Sequence, residues 1–343
     1  MTLWRTAEKF GMRSKTASAR TVHTPNINAE LHSALEQRIG RAHARLRLGI
    51  ESEHEAQVFG QGLNFFHIEN WYSGHSLLRK ALKATGLFWT GRRNARRVVV
   101  RENVISDPKI PIDFDGFTVL HISDLHIELS EDALAQTANL IDDLTYDICV
   151  LTGDFRALTY GSHKAAIQGT ELLCRHIKKP VYAVLGNHDT ILMVPELEHL
   201  GISVLLNEAT PIQRGAHGAR IFLAGVDDAH YFQADNLEKA SSNIAEDAFS
   251  ILLSHTPEIY RPAAHCGFDV MLSGHTHGGQ ICLPGGIPLK LNAVIPRHLG
   301  SGAWRYRNLR GYTSTGVGTS IVSVRFNCPP EITLHKLQSD RSS

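Results

Sequence analysis

Seven side chains of the types that bind divalent metal ions lie in five short segments of this chain. They are Asp124, His126, Asp154, Asn187, His255, His275 and His277. Two carboxylates, one amide and four imidazoles, with no thiolate, suit borderline ions such as Mn, Fe, Zn, Co or Ni. Seven ligands are too many for one tetrahedral ion, whereas two ions that share a carboxylate would use all of them. We therefore expect a dinuclear site, which lowers the pKa of a shared water towards roughly 7 and neutralises charge on phosphoryl oxygens.

Short apolar runs that are typical of buried strands precede all five segments. These runs are 118–122, 148–152, 181–185, 251–253 and 270–272, with further strand signals at 204–206 and 221–226. Between the first two runs, Ser130 is placed to cap a helix whose first turn carries Glu131 and Asp132. Strands that alternate with helices predict a layered α/β domain. The carboxyl ends of neighbouring strands converge on one crevice, so we expect the seven side chains to meet there.

Taken in order, the five segments read DxH, GD, GNHD, a single His and GHxH. This order resembles the calcineurin-like metallophosphoesterase superfamily, and the resemblance covers residues 117–334. It implies an α/β fold, called α+β in some schemes: a four-layer α-β-β-α sandwich with two mixed β-sheets, plus a helical amino-terminal extension. It also implies hydrolysis of a phosphodiester or pyrophosphate bond by attack of a metal-bridging hydroxide.

The resemblance also assigns a role to each residue of the site. It implies that the first metal is held by Asp124, His126 and His277. The second is held by Asn187, His255 and His275, and Asp154 bridges the two. His188 is expected to be catalytic, reaching the leaving-group oxygen without binding metal, and Asp189 is expected to orient it. The implied cofactors are two divalent metal ions, with Mn, Fe or Zn favoured.

The GHxH segment continues as Gly278, Gly279 and Gln280, and the chain ends in a segment 314–332 that resembles one branch of the superfamily. Members of that branch include membrane-associated phosphodiesterases and UDP-2,3-diacylglucosamine pyrophosphatases of lipid A biosynthesis. A phosphorylated small-molecule or lipid substrate, lipid-linked or a nucleotide sugar, is thus implied. Gly278, Gly279 and Gln280 are weak candidates for substrate binding, and a purely structural turn is the alternative.

Charge divides the chain into two unequal parts. The first 101 residues carry 17 Lys and Arg against 7 Glu and no Asp, although the net charge of the whole chain is only +1. We predict a disordered leader at 1–27, a basic helical extension at 28–101, the metallophosphoesterase domain at 112–336 and a disordered tail at 337–343. Within the extension, apolar and aromatic residues such as Phe65, Phe66 and Trp71 lie near clustered arginines. That pattern is typical of a helix on an anionic membrane surface, but also of a helical hairpin packed on the main domain.

No apolar run is long enough to span a membrane, and no secretory signal is recognisable. We therefore expect a cytoplasmic protein that attaches peripherally to the inner face of a membrane. Two alternatives remain open: a nuclease or general phosphatase of the same superfamily, and a non-catalytic scaffold on the same fold. A nucleic-acid partner is disfavoured because no nucleic-acid-binding module is recognisable.

Overall fold

The computed structural model describes residues 29–59, 72–215, 218–320 and 322–340. Its α-helices are α1 Ala29–Ile39, α2 Arg41–Phe59, α3 Tyr72–Ala84, α4 Leu87–Ala95, α5 Glu131–Asp142, α6 Lys164–Cys174, α7 Val194–His199, α8 Leu237–Ser241 and α9 Tyr260–His265. Its strands are β1 Val99–Asp107, β2 Thr118–Ile122, β3 Ile148–Leu151, β4 Val181–Ala183, β5 Ile202–Val204, β6 Glu208–Arg214, β7 Ala219–Gly225, β8 Ser250–Leu253, β9 Val270–Ser273, β10 Cys282–Leu283, β11 Ile287–Pro288, β12 Gly302–Tyr306, β13 Leu309–Thr313 and β14 Glu331–Ser339.

Twelve of these strands form two mixed sheets of six. The first has the order β1-β14-β2-β3-β4-β5, in which only the β14–β2 pairing is antiparallel. The second has the order β12-β13-β9-β8-β7-β6, in which β13, β9, β8 and β7 are parallel and both edge strands are antiparallel. Parallel strands place their carboxyl ends along one edge of each sheet, which is where the predicted metal-binding segments begin.

Side-chain alternation along the strands packs the two sheets face to face. Ile148 and Val150 of β3 face the second sheet, while Cys149 and Leu151 face the opposite side, because successive side chains of a strand point to opposite faces. Helices α1, α2, α5, α6 and α7 cover the outer face of the first sheet, and α8 and α9 cover the second. The layers therefore run α-β-β-α, which confirms the predicted fold class.

The amino-terminal helices pack on this sandwich. Leu35 and Ile39 of α1 join Ala44 and Leu48 of α2 in the core that covers the first sheet. The two helices are separate because Gly40 between them takes a left-handed φ of 91°. Among the described helices, none combines the length and the apolar character needed to cross a membrane. The predicted leader and the aromatic residues Phe65, Phe66 and Trp71 lie outside the described residues.

Three details differ from the sequence predictions. Ser130 does not cap α5: its hydroxyl accepts the N–H of Thr319, so a contact distant in sequence replaces the local one. The strand expected at 204–206 is Ile202–Val204, because it pairs with β4. Residues 337–339, expected in a disordered tail, extend β14 because they pair with 105–107 of β1. The other domain boundaries stay predictions.

Candidate metal centre

All seven predicted ligands lie just beyond strands of the two sheets. Asp124 and His126 follow β2, Asp154 follows β3, Asn187 follows β4, His255 follows β8, and His275 and His277 follow β9. Because β2, β3 and β4 belong to one sheet and β8 and β9 to the other, the site forms where the carboxyl edges of both sheets meet. The side chains of all seven are buried.

The ligand atoms gather into two groups, which we call cluster 1 and cluster 2. Cluster 1 consists of Asp124, His126 and His277, and cluster 2 of Asp154, His255 and His275; in each cluster the ligand atoms lie within 4.8 Å of one another. Asp154 lies between the clusters, because its Oδ2 is 3.2 Å from Nε2 of His255 and 3.6 Å from Nε2 of His126. Asn187 adjoins cluster 2, with Oδ1 3.1 Å from Nε2 of His255.

Main-chain carbonyl groups fix the tautomers of the cluster 2 imidazoles. His255 donates its Nδ1–H to Thr152 O at 2.7 Å, and His275 donates its Nε2–H to Asn292 O at 2.9 Å. The lone pairs that remain, on Nε2 of His255 and Nδ1 of His275, face each other at 3.2 Å. Two acceptors at this distance repel unless a cation lies between them, so the donor set fits a divalent ion.

The electrostatics of cluster 2 lead to the same conclusion. Burial disfavours a charged imidazole, but the carboxylates of Asp154 and Asp124 outweigh it and raise the pKa of His255 to about 10. A site that would protonate a buried histidine so readily has an excess of acceptors and of negative charge. A bound metal ion satisfies both at once.

In cluster 1 a main-chain carbonyl group fixes the tautomer of His126, while Nδ1 of His277 lies 3.4 Å from Nη2 of Arg325. His126 donates its Nδ1–H to Arg156 O at 2.8 Å, which leaves the Nε2 lone pair pointing at Nε2 of His277, 3.0 Å away. Oδ1 of Asp124 lies 3.5 Å from the same nitrogen of His277. The ligand atoms of the three side chains therefore converge on one point, as the ligands of a single ion do.

Five of the seven predicted ligands have left-handed backbone conformations. They are Asp124 at φ 52°, His126 at φ 40°, Asp154 at φ 55°, His275 at φ 69° and His277 at φ 50°. Such conformations are uncommon for residues other than glycine, and they persist only where the surrounding structure enforces them. Their concentration at this edge of the sheets marks it as a functional centre independently of the residue types.

Close packing enforces this geometry. A Cβ atom on Gly274 would lie 1.8 Å from Oγ of Ser123 and 2.3 Å from Oδ2 of Asp124, and one on Gly186 would lie 2.2 Å from Oδ1 of Asp154. Only glycine fits at either position. The sequence patterns GNHD and GHxH thus begin with glycine because a carboxylate of the site occupies the space beside it.

His188 lies beside the metal ligands with its ring partly exposed. Its Nδ1 is 2.8 Å from Oγ1 of Thr159, and its Nε2 is 3.9 Å from Oδ2 of Asp154. Burial lowers the pKa of His188 to about 4 against the opposing effect of Asp154. The ring is therefore neutral in the free protein at neutral pH.

Asp189 has a different position from the one expected. Its carboxylate accepts the main-chain N–H groups of four residues, Gly186, Asp154, Phe155 and Arg156, at 2.8 to 3.2 Å. The ring of His188 bonds to Thr159 instead. The prediction that Asp189 orients this ring is therefore wrong, because the tight turn 186–189 directs the carboxylate back onto the main chain. Asp189 joins the turn to the loop after β3.

The weak substrate-binding candidates are engaged in packing. Gln280 donates its side-chain amide to Ser320 O at 3.0 Å and Val322 O at 2.7 Å, and accepts the N–H of Ser320 at 2.8 Å. Gly278 has a φ of 57°, and a Cβ there would lie 2.8 Å from Sγ of Cys328. These contacts favour the structural alternative for the turn.

Further residues surround the predicted ligands. The ring of His230 packs against that of His275 at a tilt of 47°, with centroids 4.2 Å apart, and His230 hydrogen-bonds to Glu258 at 2.7 Å. Burial raises the pKa of Glu258, but the hydrogen bonds from His230 and from the main chain of Val294, with the charge of His230, together outweigh it and lower the pKa to about 2. Thr159, Asn292 and Glu258 carry no local signal, because loops bring them to the site.

Comparison with known proteins agrees with this geometry. The family model described as calcineurin-like phosphoesterase matches residues 117–279. An uncharacterized metallophosphoesterase of Bacillus subtilis (strain 168), YkoQ, is 30% identical over 64% of this chain and 83% of its own length. Another from the same organism, YkuE, is 30% identical over 69% and 85%, and phosphodiesterase YaeI of Escherichia coli (strain K12) is 29% identical over 64% and 82%.

This chain belongs to the calcineurin-like phosphoesterase family. It is a metal-dependent phosphoesterase, from a family that binds two divalent metal ions, and clusters 1 and 2 are the two groups of side chains suited to hold them.

Proposed function

We propose that this chain hydrolyses a phosphodiester or pyrophosphate bond of a lipid-linked or nucleotide-sugar substrate. The observation that carries the reaction class is the pair of clusters with Asp154 between them and His188 beside them. When bound, two ions lower the pKa of water towards roughly 7 and neutralise charge on phosphoryl oxygens.

The residues of the site have separate roles in this reaction. Cluster 1 holds one ion, cluster 2 together with Asn187 holds the other, and Asp154 is shared. His188 is the catalytic residue that contacts the substrate: an anionic phosphate raises its pKa, and its Nε2 then donates a proton to the leaving oxygen, a contribution of typically ~10²- to 10⁴-fold. Thr159 holds the ring by its Nδ1. We propose Mn, Fe or Zn as the ions because four imidazoles and no thiolate are present.

The surface near the site supports a substrate with an apolar part. After His277 the chain forms the β10–β11 hairpin, and the main-chain carbonyl of Asn292, which follows it, accepts the ring Nε2–H of His275. This hairpin segment exposes Leu283, Ile287 and Leu289, the last at 59%. A substrate whose phosphate lies at the metal centre can place its acyl chains along these residues.

Helix α4 supports attachment to an anionic membrane surface. Trp89 is 65% exposed and lies near Arg92 and Arg93 of the same helix, while Phe88 packs against Val324. An apolar ring beside guanidinium groups is the combination that binds anionic lipid interfaces. The segment 322–328 joins this helix to the hairpin, because Ile281 pairs with Phe326 and Phe326 packs on α4.

Purified protein loaded with Mn tests the reaction. We expect hydrolysis of bis-p-nitrophenyl phosphate, and a screen of phosphomonoesters, cyclic and linear diesters, nucleotide sugars and UDP-2,3-diacylglucosamine should show the highest kcat/KM for the last two classes. The His188→Ala variant should keep two metal ions per chain by elemental analysis and lose most of its kcat. Metal-free, inactive protein would contradict the proposal, and preference for DNA or RNA would favour a nuclease.

Vesicle binding tests the surface separately. We expect the protein to bind phosphatidylcholine vesicles that contain phosphatidylglycerol, and less so at high salt. Trp89→Ser should weaken binding, whereas Leu172→Ser, on the 54% exposed Leu of α6, should not. Equal binding by both variants would refute the role of Trp89, and no binding by the wild type would refute membrane attachment; both results leave the reaction untouched.

A further inference from the structure

Helix α2 carries a buried charge that the phosphoesterase chemistry does not explain. Arg47 is completely buried, yet it belongs to the amino-terminal extension, outside the segment 117–279 that matches the family. Burying a guanidinium costs several kcal/mol unless paired groups and hydrogen bonds compensate. The partners of Arg47 therefore indicate why the charge is there.

Those partners lead directly to the metal centre. Nη2 of Arg47 donates to the main-chain carbonyl of Asp189 at 2.8 Å, and Nε lies 3.2 Å from Oδ2 of Asp227. Nη1 is 2.8 Å from Oε1 of Glu51, one turn along α2, and the guanidinium stacks 3.2 Å above the ring of Phe232. The planar group thus uses its edges for oxygen partners and its face for an aromatic ring, a combination that lysine cannot reproduce.

Glu51 continues the same contact. Its carboxylate accepts the hydroxyl of Thr190 at 2.5 Å and the N–H of Ile191 at 2.9 Å. Together, Arg47 and Glu51 bind three consecutive residues, 189–191, from one side. We call this pair the α2 clamp.

The residues held by the α2 clamp, 189–191, begin at the end of the turn 186–189, and this turn carries Asn187 and His188. The N–H of Asp189 closes the turn on Gly186 O at 3.1 Å, and the carboxylate of Asp189 ties it to the loop of Asp154. Asn187 and His188 lie between these fixed points. Movement at 189 therefore changes the distance from Asn187 to cluster 2 and from His188 to the substrate.

We propose that Arg47 and Glu51 are positioning residues of the active site, acting through the turn 186–189 on Asn187 and His188. The amino-terminal extension then completes the catalytic centre. This inference rests on the proposed function, because it concerns the same site. It predicts that loss of the clamp lowers kcat and the retention of the second metal ion more than it lowers stability.

The main test is Glu51→Gln, which keeps the shape and one acceptor oxygen but removes the charge that faces Arg47. We expect kcat to fall about tenfold to a hundredfold with little change in KM, as misplacement of reacting groups does. We also expect fewer than two Mn ions per chain after gel filtration. Arg47→Met should show the same pattern more strongly.

The matched control is Leu48→Ala, which removes a core side chain of α2 between the two clamp residues. It should lower the unfolding temperature and leave kcat and metal content unchanged, since Leu48 packs in the core and not on the turn. If Arg47→Met does not fold, the kcat and the metal content of Glu51→Gln alone test the inference. A folded Glu51→Gln with wild-type kcat and two metal ions would overturn the inference, whereas an inactive wild type would overturn the proposed function instead.

Discussion

Two buried histidines make the stability of this protein depend on pH in a calculable way. Asn103 Nδ2 lies 3.0 Å from Nδ1 of His335, Nε2 of His335 lies 3.2 Å from Nδ1 of His121, and Nε2 of His121 lies 2.8 Å from Oγ1 of Thr152. Because an amide nitrogen only donates, His335 accepts at Nδ1 and donates from Nε2, and His121 does the same. With both rings neutral, every ring nitrogen already takes part in a hydrogen bond. A protonated ring would therefore carry an N–H group that has no acceptor.

The size of the effect follows from the pKa values. Burial lowers the pKa of His121 from 6.5 to about 3, and burial followed by the proximity of His121 lowers that of His335 well below its usual value. Below pH 6.5 the unfolded chain binds protons that the folded chain does not, so stability falls as pH falls. Each histidine contributes about 1.4 kcal/mol per pH unit. Between pH 6.5 and pH 5, His121 alone accounts for about 2 kcal/mol.

Urea unfolding of metal-free protein between pH 5 and pH 7.5 measures this contribution. His121→Gln keeps an acceptor for His335 and a donor for Thr152, but it does not titrate. We expect it to lose about 2 kcal/mol less than the wild type between pH 6.5 and pH 5, whereas the exposed control His265→Gln should follow the wild type. Parallel curves for His121→Gln and the wild type would show that His121 is charged when folded, and would refute the reasoning.

Three further predictions concern the metal centre. Gly274→Ala should release the ion at Asp124 and abolish activity, because its Cβ would lie 1.8 Å from Oγ of Ser123; two retained ions in that variant would contradict the packing argument. Thr159→Val should lower kcat about twofold to tenfold with unchanged metal content, since one hydrogen bond to His188 is worth about 0.5–1.5 kcal/mol, and Thr159→Ser should restore it. Chelation should abolish hydrolysis and lower the unfolding temperature, because metal at 100 times its Kd adds about 2.7 kcal/mol to the stability of the folded protein. Calorimetry with and without Mn measures this change.

The residues of the centre could be picked out from the sequence because their signals are local. Asp124 and His277 each follow a short buried strand, and such a strand with DxH or GHxH at its end constrains where the side chain can lie. The tautomers required coordinates, because Asn292 and Arg156 contribute main-chain carbonyl groups that any residue could supply.

Other features were hidden because their partners are distant in sequence. Ser130 before two acidic residues is a good capping pattern, yet its hydroxyl binds Thr319. Arg47 belongs to the basic amino-terminal extension, and its burial depends on Asp189 and Asp227 far along the chain. Long-range contacts of this kind leave no periodicity to detect.

The pairing of β1 with β14 also governs how the chain assembles. Residues 99–107 lie parallel to 331–339, and β14 separates β1 from β2 in the first sheet. During synthesis, β1 and the helices before it leave the ribosome long before β14 is made. β1 therefore stays unpaired until β14 forms. Contacts of such large sequence separation slow folding. Refolding should therefore close the interior of the sheets first, and β1 should gain its protection from hydrogen exchange last.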